Sequence, residues 1–507
     1  LRRCDFDRLS RKIIMMNGDN EVIEELRIKS GRYRYVILVI VALQLSFTLG
    51  NVITFNAAFV AMHDLTTSPL YPAYLNKTLL IPEWETAPEL SLSEMRFVWT
   101  PMQKALSFAG AFGGNVVCVQ ILAQIIRRVG VHKTMVFIGY FGAFITSTTP
   151  VVLTISFPLF IVFRFLNGMT FSMLFTVAGV VTNDWAPLAQ RGLFIAVLTG
   201  HVEMAALFTM PVAGAVASKI GWPYAFFMSG FLLAVVTSLF LFLYRDSPSA
   251  HPFVGEMEVK KINCGKSKQQ ASGSSTAPPY RSIFSSPVIW ASWVAVIGTF
   301  FVSQFTISWS PIYLNNVLQY SPAMTGVISV VPLACQLLIK FFSGLMSDKL
   351  HCVDDVTKLR LFNSIALVGG GVFFAIASII TPSGHWVDTF FSLAPVALLG
   401  FHAGGYPKCL VIVSRQYSAF VMSVVQMVSC GTMFVGSFII PLIAPENTFD
   451  QWKKVFILYA SMLVVTNTVF VIFAKAKAAS WTEEDHPKRT NRVASIDGKL
   501  SVISSQQ

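Results

Sequence analysis

Runs of about twenty apolar residues, the length a helix needs to cross a bilayer, recur along the whole chain. Twelve are present, at 35–62, 98–124, 134–153, 157–182, 193–217, 223–244, 288–313, 323–346, 360–381, 387–412, 418–443 and 453–474. They fall into two sets of six. Between the sets, residues 245–287 are polar, and their stretch "GKSKQQASGSSTAPP" is Ser/Gly-rich and free of aromatics, the composition of a flexible linker. The pattern predicts an all-α polytopic membrane protein with twelve transmembrane helices in two six-helix bundles. Its parts are a tail at 1–34, a first bundle at 35–244, the linker at 245–287, a second bundle at 288–474 and a tail at 475–507. The two halves echo each other. Span five carries Pro211 and Gly214, and its counterpart, span eleven, carries Gly436 and Pro441, residues that let membrane helices bend and approach.

Composition narrows the class. Of 507 residues, 54% are hydrophobic and 13% charged, against about 25% charged in a soluble domain, so there is too little polar cover for a water-exposed surface. The net charge of +12 does not mark a nucleic-acid binder, because the basic residues are scattered among apolar spans. With the N-terminus inside, tails and loops on the cytosolic side hold 29 Lys and Arg, and the outer loops hold five. The positive-inside rule therefore puts both termini in the cytosol. The first apolar run is too long for a signal-peptide core and is expected to remain as span one. The only N-x-[ST] sequon, at Asn76, falls in the long loop after span one on the predicted outer side, where a glycan could be added. None of the seven cysteines falls in an outer loop, and no pair has zinc-site spacing, so neither disulfide nor metal is expected. Walker, G-x-S-x-G and H-E-x-x-H motifs are absent. No enzyme activity and no cofactor is expected, and transport would draw on an ion gradient.

Charges inside spans are the candidate chemistry. "FPLFIVFRFLNGMTFSMLF" (157–175) is apolar but for a few small polar residues and one charge, Arg164. A guanidinium there costs about 2.5–3.5 kcal/mol even on a lenient insertion scale. Its planar, permanently charged fork suits carboxylate or phosphate recognition in a central cavity. Pairing with a carboxylate or backbone carbonyls, or snorkelling to the outer face, would also accommodate it. Span five opens "GHVEMAALF", with Glu203 able to load a proton and His201 nearby to relay or sense it. A structural ion pair with Arg191 or Arg164 is the alternative for Glu203. Gln304 in span seven, with Ser303, Thr306 and Ser308, and Asn51 and Asn56 in span one are polar groups that could line a cavity or bond between helices. Lys340 and Lys408 are expected to snorkel towards the cytosolic face, and Lys104 towards the outer one.

After span eight comes "GLMSDKL", with Gly344, Asp348 and Lys349. It resembles the G-x-x-x-D-[RK] loop of the major facilitator superfamily, in which the glycine permits close helix contact. The corresponding loop after span two, "AQIIRRVGVHK", keeps Gly130 but has Ala123 and Arg127 where Gly and Asp belong. "GWPYAFFMSG", "SSPVIWA", "SPIYL", "YSAFVMSVVQMVSCGTMFVGSFIIPLI" and "FDQWKKVFILYAS" resemble the anion:cation symporters, the group that includes the sodium/phosphate cotransporters, sialin and the vesicular glutamate transporters. The resemblance implies that Arg164, followed by Gly168, binds an anionic substrate. It also implies alternating access, coupling to protons or sodium, and residence in the plasma membrane or an acidic organelle. The chain departs from the better-known members. The acid seven positions after that arginine is Phe171, the first-span arginine and second-span histidine of the vesicular glutamate transporters fall at Val52 and Phe108, and their seventh-span arginine falls near Thr299. The expected protein is a secondary active transporter of a small organic or inorganic anion held by Arg164, Gln304 and Asn56, with Glu203 and His201 coupling it to an ion. A passive or neutral-solute carrier and a non-transporting receptor are the alternatives.

Overall fold

Each apolar run becomes a helix. The computed structural model describes residues 32–63, 91–97, 99–187, 190–263, 278–320, 322–349, 353–380 and 385–482. Twelve helical segments among them are long and apolar enough to cross a membrane: Tyr33–Phe59, Pro101–Val129, Val131–Ile155, Phe157–Trp185, Leu193–Lys219 and Trp222–Leu243, then Pro287–Asn316, Val327–Gly344, Asp355–Ile379, Trp386–Ser414, Phe420–Ile443 and Phe449–Phe473. They are spans one to twelve. An even number of crossings brings Tyr33 and Phe473 to one face, the tail face; the opposite side is the far face.

The helices form two six-helix bundles. In the first, span one packs against spans five and six, span three against span six, and span two against span four. In the second, span nine packs against span twelve, span twelve against span seven, and span eight against span ten. In a bilayer no hydrophobic drive separates helix from lipid, so close packing of small residues and buried hydrogen bonds must hold a bundle. Both devices are present. Gln44 of span one donates to Thr237 of span six at 3.0 Å, and Asn363 of span nine donates to Asn467 of span twelve at 2.9 Å. At Gly139 and Gly298 a Cβ would run into the hydroxyls of Thr237 and Thr466. The bundles meet along spans two and eleven and spans five and eight, with the second part of span four also against span eleven.

Several spans are discontinuous. Span four breaks at 171–173 between Phe157–Thr170 and Leu174–Trp185, and its counterpart, span ten, passes through a 3₁₀ turn at Leu399–Gly404 before Tyr406–Ser414. Span five is interrupted at Gly200, and span seven has a π turn at Phe305–Trp309. Broken helices at matching positions of two repeats line transporter binding sites, and π turns concentrate at functional sites.

The segment after span six is ordered where a flexible linker was expected. Residues 245–263 fold back under the first bundle and end in a short helix, Glu256–Asn263. Its Glu258 accepts the backbone N–H of Tyr33 at 3.3 Å and of Arg34 at 3.1 Å, and pairs with the Arg34 guanidinium at 3.2 Å. The free N–H groups and positive dipole end of span one explain the attraction. His251 adds a hydrogen bond to the Leu243 carbonyl at 2.9 Å and a ring contact with Tyr33 at 4.5 Å. The Ser/Gly-rich part of the linker (264–277), both tails (1–31 and 483–507) and Asn76 lie outside the described residues.

Because the Arg34 and Glu258 side chains are 4% and 0% exposed, removing one strands a buried charge. Glu258→Ala is expected to cost about 3–5 kcal/mol, seen as a lower melting temperature in detergent. Arg34→Met with Glu258→Met recovers most of it, since the apolar pair leaves no charge behind.

Candidate functional site: a buried arginine and an ion pair between the bundles

Arg164 stands seven residues inside span four, about 10 Å by helix rise, and is 2% exposed. Local packing of spans two and four puts it there. At Gly168, one turn further along, a Cβ would collide with the Ala111 carbonyl, and at Gly114 with the Phe165 carbonyl. The two backbones therefore touch, and Arg164 above that contact reaches across to span two. Its Nε donates to the Ser107 carbonyl at 2.9 Å and its Nη1 to the Val52 carbonyl of span one at 3.4 Å. The guanidinium lies 4.3 Å over the Phe55 ring. Among the described residues no carboxylate pairs with it. Of the ways to accommodate a buried arginine, backbone carbonyls and a cation–π contact are those present; they satisfy donors but leave its charge uncompensated.

A lid of rings closes the far side. Phe55 meets Phe108 and Phe160 at 5.5 Å, and Phe108 meets Trp309 of the second bundle at 5.3 Å. Two positions where this chain departs from the vesicular glutamate transporters, Val52 and Phe108, thus lie beside Arg164. At these positions this chain has an aliphatic side chain, Val52, and a ring of the lid, Phe108. Beside the lid, Asn56 joins the bundles, donating to the Ile307 carbonyl at 3.3 Å and the Ser308 hydroxyl at 3.2 Å. Gln304 donates to Ser437 of span eleven at 2.8 Å, and its Oε1 has no partner.

Towards the tail face a second polar centre joins the bundles. Glu203 receives Lys340 Nζ of span eight at 3.0 and 3.1 Å and Gln336 Nε2 at 3.2 Å, and Lys340 also donates to the Thr199 carbonyl at 3.3 Å. The structural alternative for Glu203 was an ion pair with Arg191 or Arg164; the ion pair it makes is with Lys340. Nor does Lys340 snorkel: it is 6% exposed, because a carboxylate within the protein offers its ammonium more than the interface would. Gly200, just before the second part of span five, sits against Leu337 of span eight. His201 does not bond Glu203. Its Nδ1 contacts the Leu198 carbonyl at 2.6 Å, and its ring packs 5.3 Å from Phe175 of span four. His402 of span ten likewise engages its own helix, at the Leu399 carbonyl, and stacks on Tyr406 at 5.4 Å.

Asn115 of span two was missed in the sequence. It is fully buried, and both its amide atoms lack partners. The available signal was its spacing, two helical turns from Phe108 and hence on one face.

The loop motifs divide. Gly130 has φ +94°, and a Cβ there would strike the Asp246 carboxylate, which accepts the His132 N–H at 2.9 Å. Thus Asp246, from the end of span six, supplies a carboxylate to the loop after span two, whose motif has lost its own. At Gly344 a Cβ would meet nothing within 4 Å among the described residues. The helix runs through Asp348 and Lys349, whose side chains lie outside the described residues.

Twelve helices in two bundles around buried charged groups define a membrane transporter, and the comparisons identify which kind. Residues 53–437 match the family model described as Major Facilitator Superfamily, and the chain belongs to that superfamily. Its relatives include human sialin, 22% identical over 77% of this chain and 79% of sialin, and sodium-dependent phosphate transport protein 1 of Mus musculus, 23% identical over 76% and 84%. A human protein named "Probable small intestine urate exporter" is 22% identical over 79% and 81%. These are the anion:cation symporters that the sequence motifs resemble. Among solved structures, the partially occluded, inward-open xylose transporter XylE from E. coli matches with TM-score 0.61 and 14% identity over 88% of this chain and 98% of that one. An inward-facing bacterial homolog of the lysosomal transporter Spinster matches with TM-score 0.60, also at 14% identity, over 87% and 97%.

The contact at Gly168 sets the position of Arg164. Gly168→Ala is expected to cost about 1–3 kcal/mol from overpacking, whereas Gly214→Ala, where nothing lies within 4 Å of the new Cβ, should be neutral or slightly stabilising. Parallel melting curves of the two purified variants check this, and equal losses would place the constraint elsewhere.

Proposed function

We propose that the chain is a secondary active transporter that carries a small anion by alternating access, with Arg164 as the anion's counter-ion and Glu203 as the coupling group. The observation that carries this reading is a guanidinium 2% exposed with no acidic partner among the described residues. A buried, uncompensated positive charge gains more from an arriving anion than a paired one would. Relatives named for phosphate transport and urate export agree with an anionic cargo.

Coupling follows from the second centre. The Glu203–Lys340 pair ties span five to span eight, so it must part whenever the bundles separate on that side. Protonating Glu203 removes one partner's charge and lowers the cost of that parting. A carboxylate at this joint favours the proton over sodium as the coupled ion. The excess of Lys and Arg on the tail-face loops favours cytosolic termini, in the plasma membrane or an acidic organelle.

The two backbone carbonyls at Arg164 support a second reading, in which the arginine is structural and the cargo neutral. Uptake of a labelled panel (phosphate, urate, sialate, glutamate, nucleotides) into proteoliposomes separates the two. On the first reading one anion accumulates, and Arg164→Ala, still monodisperse, loses at least about 100-fold of that uptake, the worth of about 3 kcal/mol of charge-assisted binding. Normal anion uptake by Arg164→Ala, or none by the wild type, sinks it.

Glu203→Gln, which imitates the protonated carboxyl, is expected to abolish accumulation driven by a pH gradient while leaving exchange of cargo across the membrane. Accumulation that persists in this variant, or that follows an imposed sodium gradient instead, would remove Glu203 from coupling.

A further inference from the structure

Span seven carries a gap in its hydrogen bonding that its own sequence cannot repair. In an α-helix each carbonyl is bonded by the N–H four residues on. Four residues after Ile307 comes Pro311, which has no N–H and whose ring would strike that carbonyl. The chain widens there into the π turn Phe305–Trp309, in which the Ser310 N–H bonds the Phe305 carbonyl. The Ser310 hydroxyl takes the Thr306 carbonyl at 2.7 Å. Ile307 and Ser308 are 5% and 2% exposed, so the Ile307 carbonyl lacks its helical donor in a place shut away from water. A buried carbonyl so placed needs a donor from elsewhere.

The donor comes from the other bundle. Asn56 of span one gives its Nδ2 to the Ile307 carbonyl at 3.3 Å and to the Ser308 hydroxyl at 3.2 Å, while its own Oδ1 has no partner. What holds this amide is therefore what it donates. By helix rise Asn56 lies about 34 Å from Tyr33, and Ile307 about 30 Å from Pro287. Tyr33 and Pro287 begin their spans at the tail face, so both partners stand near the far face. Their chain neighbours close the lid beside them, Phe55 meeting Phe108 at 5.5 Å and Trp309 meeting it at 5.3 Å.

We infer that Asn56 is the latch of the far-side gate: it supplies the hydrogen bond that Pro311 denies to Ile307, and does so only while the two bundles are closed on that side. Asn56 is then a positioning residue. It acts through the Ile307 carbonyl on the balance between closed and open arrangements, and needs no contact with cargo to do so. When the bundles part on the far side, water reaches the carbonyl and takes the amide's place, so neither arrangement strands it. Pro311 keeps the carbonyl on offer in every cycle. The inference needs alternating access but not an anionic cargo, and is independent of the reading of Arg164.

The test uses the full-length protein in nanodiscs, without cargo, in a background freed of its seven native cysteines. Nitroxide labels at Met102→Cys and Asn316→Cys, exposed positions at the far ends of spans two and seven, report the separation of the bundles by double electron–electron resonance. The closed arrangement gives a short distance and the open one a longer distance. Asn56→Leu should lower the closed-to-open ratio about five- to tenfold, the worth of one buried hydrogen bond. Pro311→Ala should lower it too, because an N–H at position 311 bonds Ile307 within span seven and leaves Asn56 less to hold. With that change in place, adding Asn56→Leu should lower the ratio by less than about twofold, since the two residues act through one carbonyl.

A merely structural asparagine would change stability without moving this ratio. A ratio in Asn56→Leu equal to that of the wild type therefore refutes the latch. So does a fall that is as large in the Pro311→Ala background as outside it, which is how independent sites behave. Should Asn56→Leu fold poorly, Pro311→Ala decides alone, and an unchanged ratio there overturns the inference. Because cargo is absent from the measurement, failure of the latch leaves the anion reading untouched, and failure of anion uptake leaves the latch untouched.

Discussion

The contact between the backbones of spans two and four decides where the charge of this protein sits. Gly168 and Gly114 leave no room for a side chain between the two helices. At that distance, and only there, can the Arg164 side chain reach the Ser107 carbonyl of the neighbouring helix and come under the Phe55 ring. In water such a contact would be one of many. In a bilayer, where apolar helix faces gain little by leaving lipid, it is what makes a buried guanidinium tolerable. The aromatic lid stands over the charge that this contact has fixed, and through Phe108 and Trp309 it joins that charge's surroundings to span seven.

The second centre obeys the same rule with a different solution. Lys340 and Glu203 neutralise each other across the joint of the two bundles, with Gln336 and the Thr199 carbonyl completing their hydrogen bonds. A fully satisfied pair is stable as long as it is whole and costly when one partner is changed. The contrast with Arg164 is informative. One charge is compensated within the protein, across the joint of the two bundles. The other is hydrogen-bonded to backbone carbonyls, with no acidic partner among the described residues. On the proposed reading, the first serves the coupled ion and the second the cargo.

Much of this was legible in the sequence, and the limits follow from physics. Spans are written in runs of adjacent residues, and so is the two-times-six repeat. Arg164 stood out because a lone charge in an apolar run has no cheap explanation. What linear reading could not reach were pairings between distant residues. Glu203 and Lys340 are 137 positions apart, and each taken alone suggested a nearer partner or the interface. Arg34 and Glu258 are 224 apart, so a segment of linker-like composition concealed an ordered clamp. The break at 171–173 carries neither glycine nor proline. Asn115 carries no charge and stands in an apolar run, so nothing in the linear sequence sets it apart but its spacing from Phe108. At Gly344 the motif's packing reason has no counterpart among the described residues.

The unpaired amides and the paired carboxylate also bear on why such a molecule moves. A ligand shifts a two-state equilibrium only by binding one state better than the other, so cargo that touched a single bundle could not bring the two together. Asn51 and Asn115 belong to the first bundle and Gln304 to the second. On the proposed anion reading, a cargo held at Arg164 draws the bundles together only through contacts in the second bundle that the open arrangement withholds. The polar atoms left without partners lower the stability of the empty, closed arrangement. Poor satisfaction at the centre of the fold, a defect by the standards of stability, is thus what would let a small solute drive a rearrangement of twelve helices.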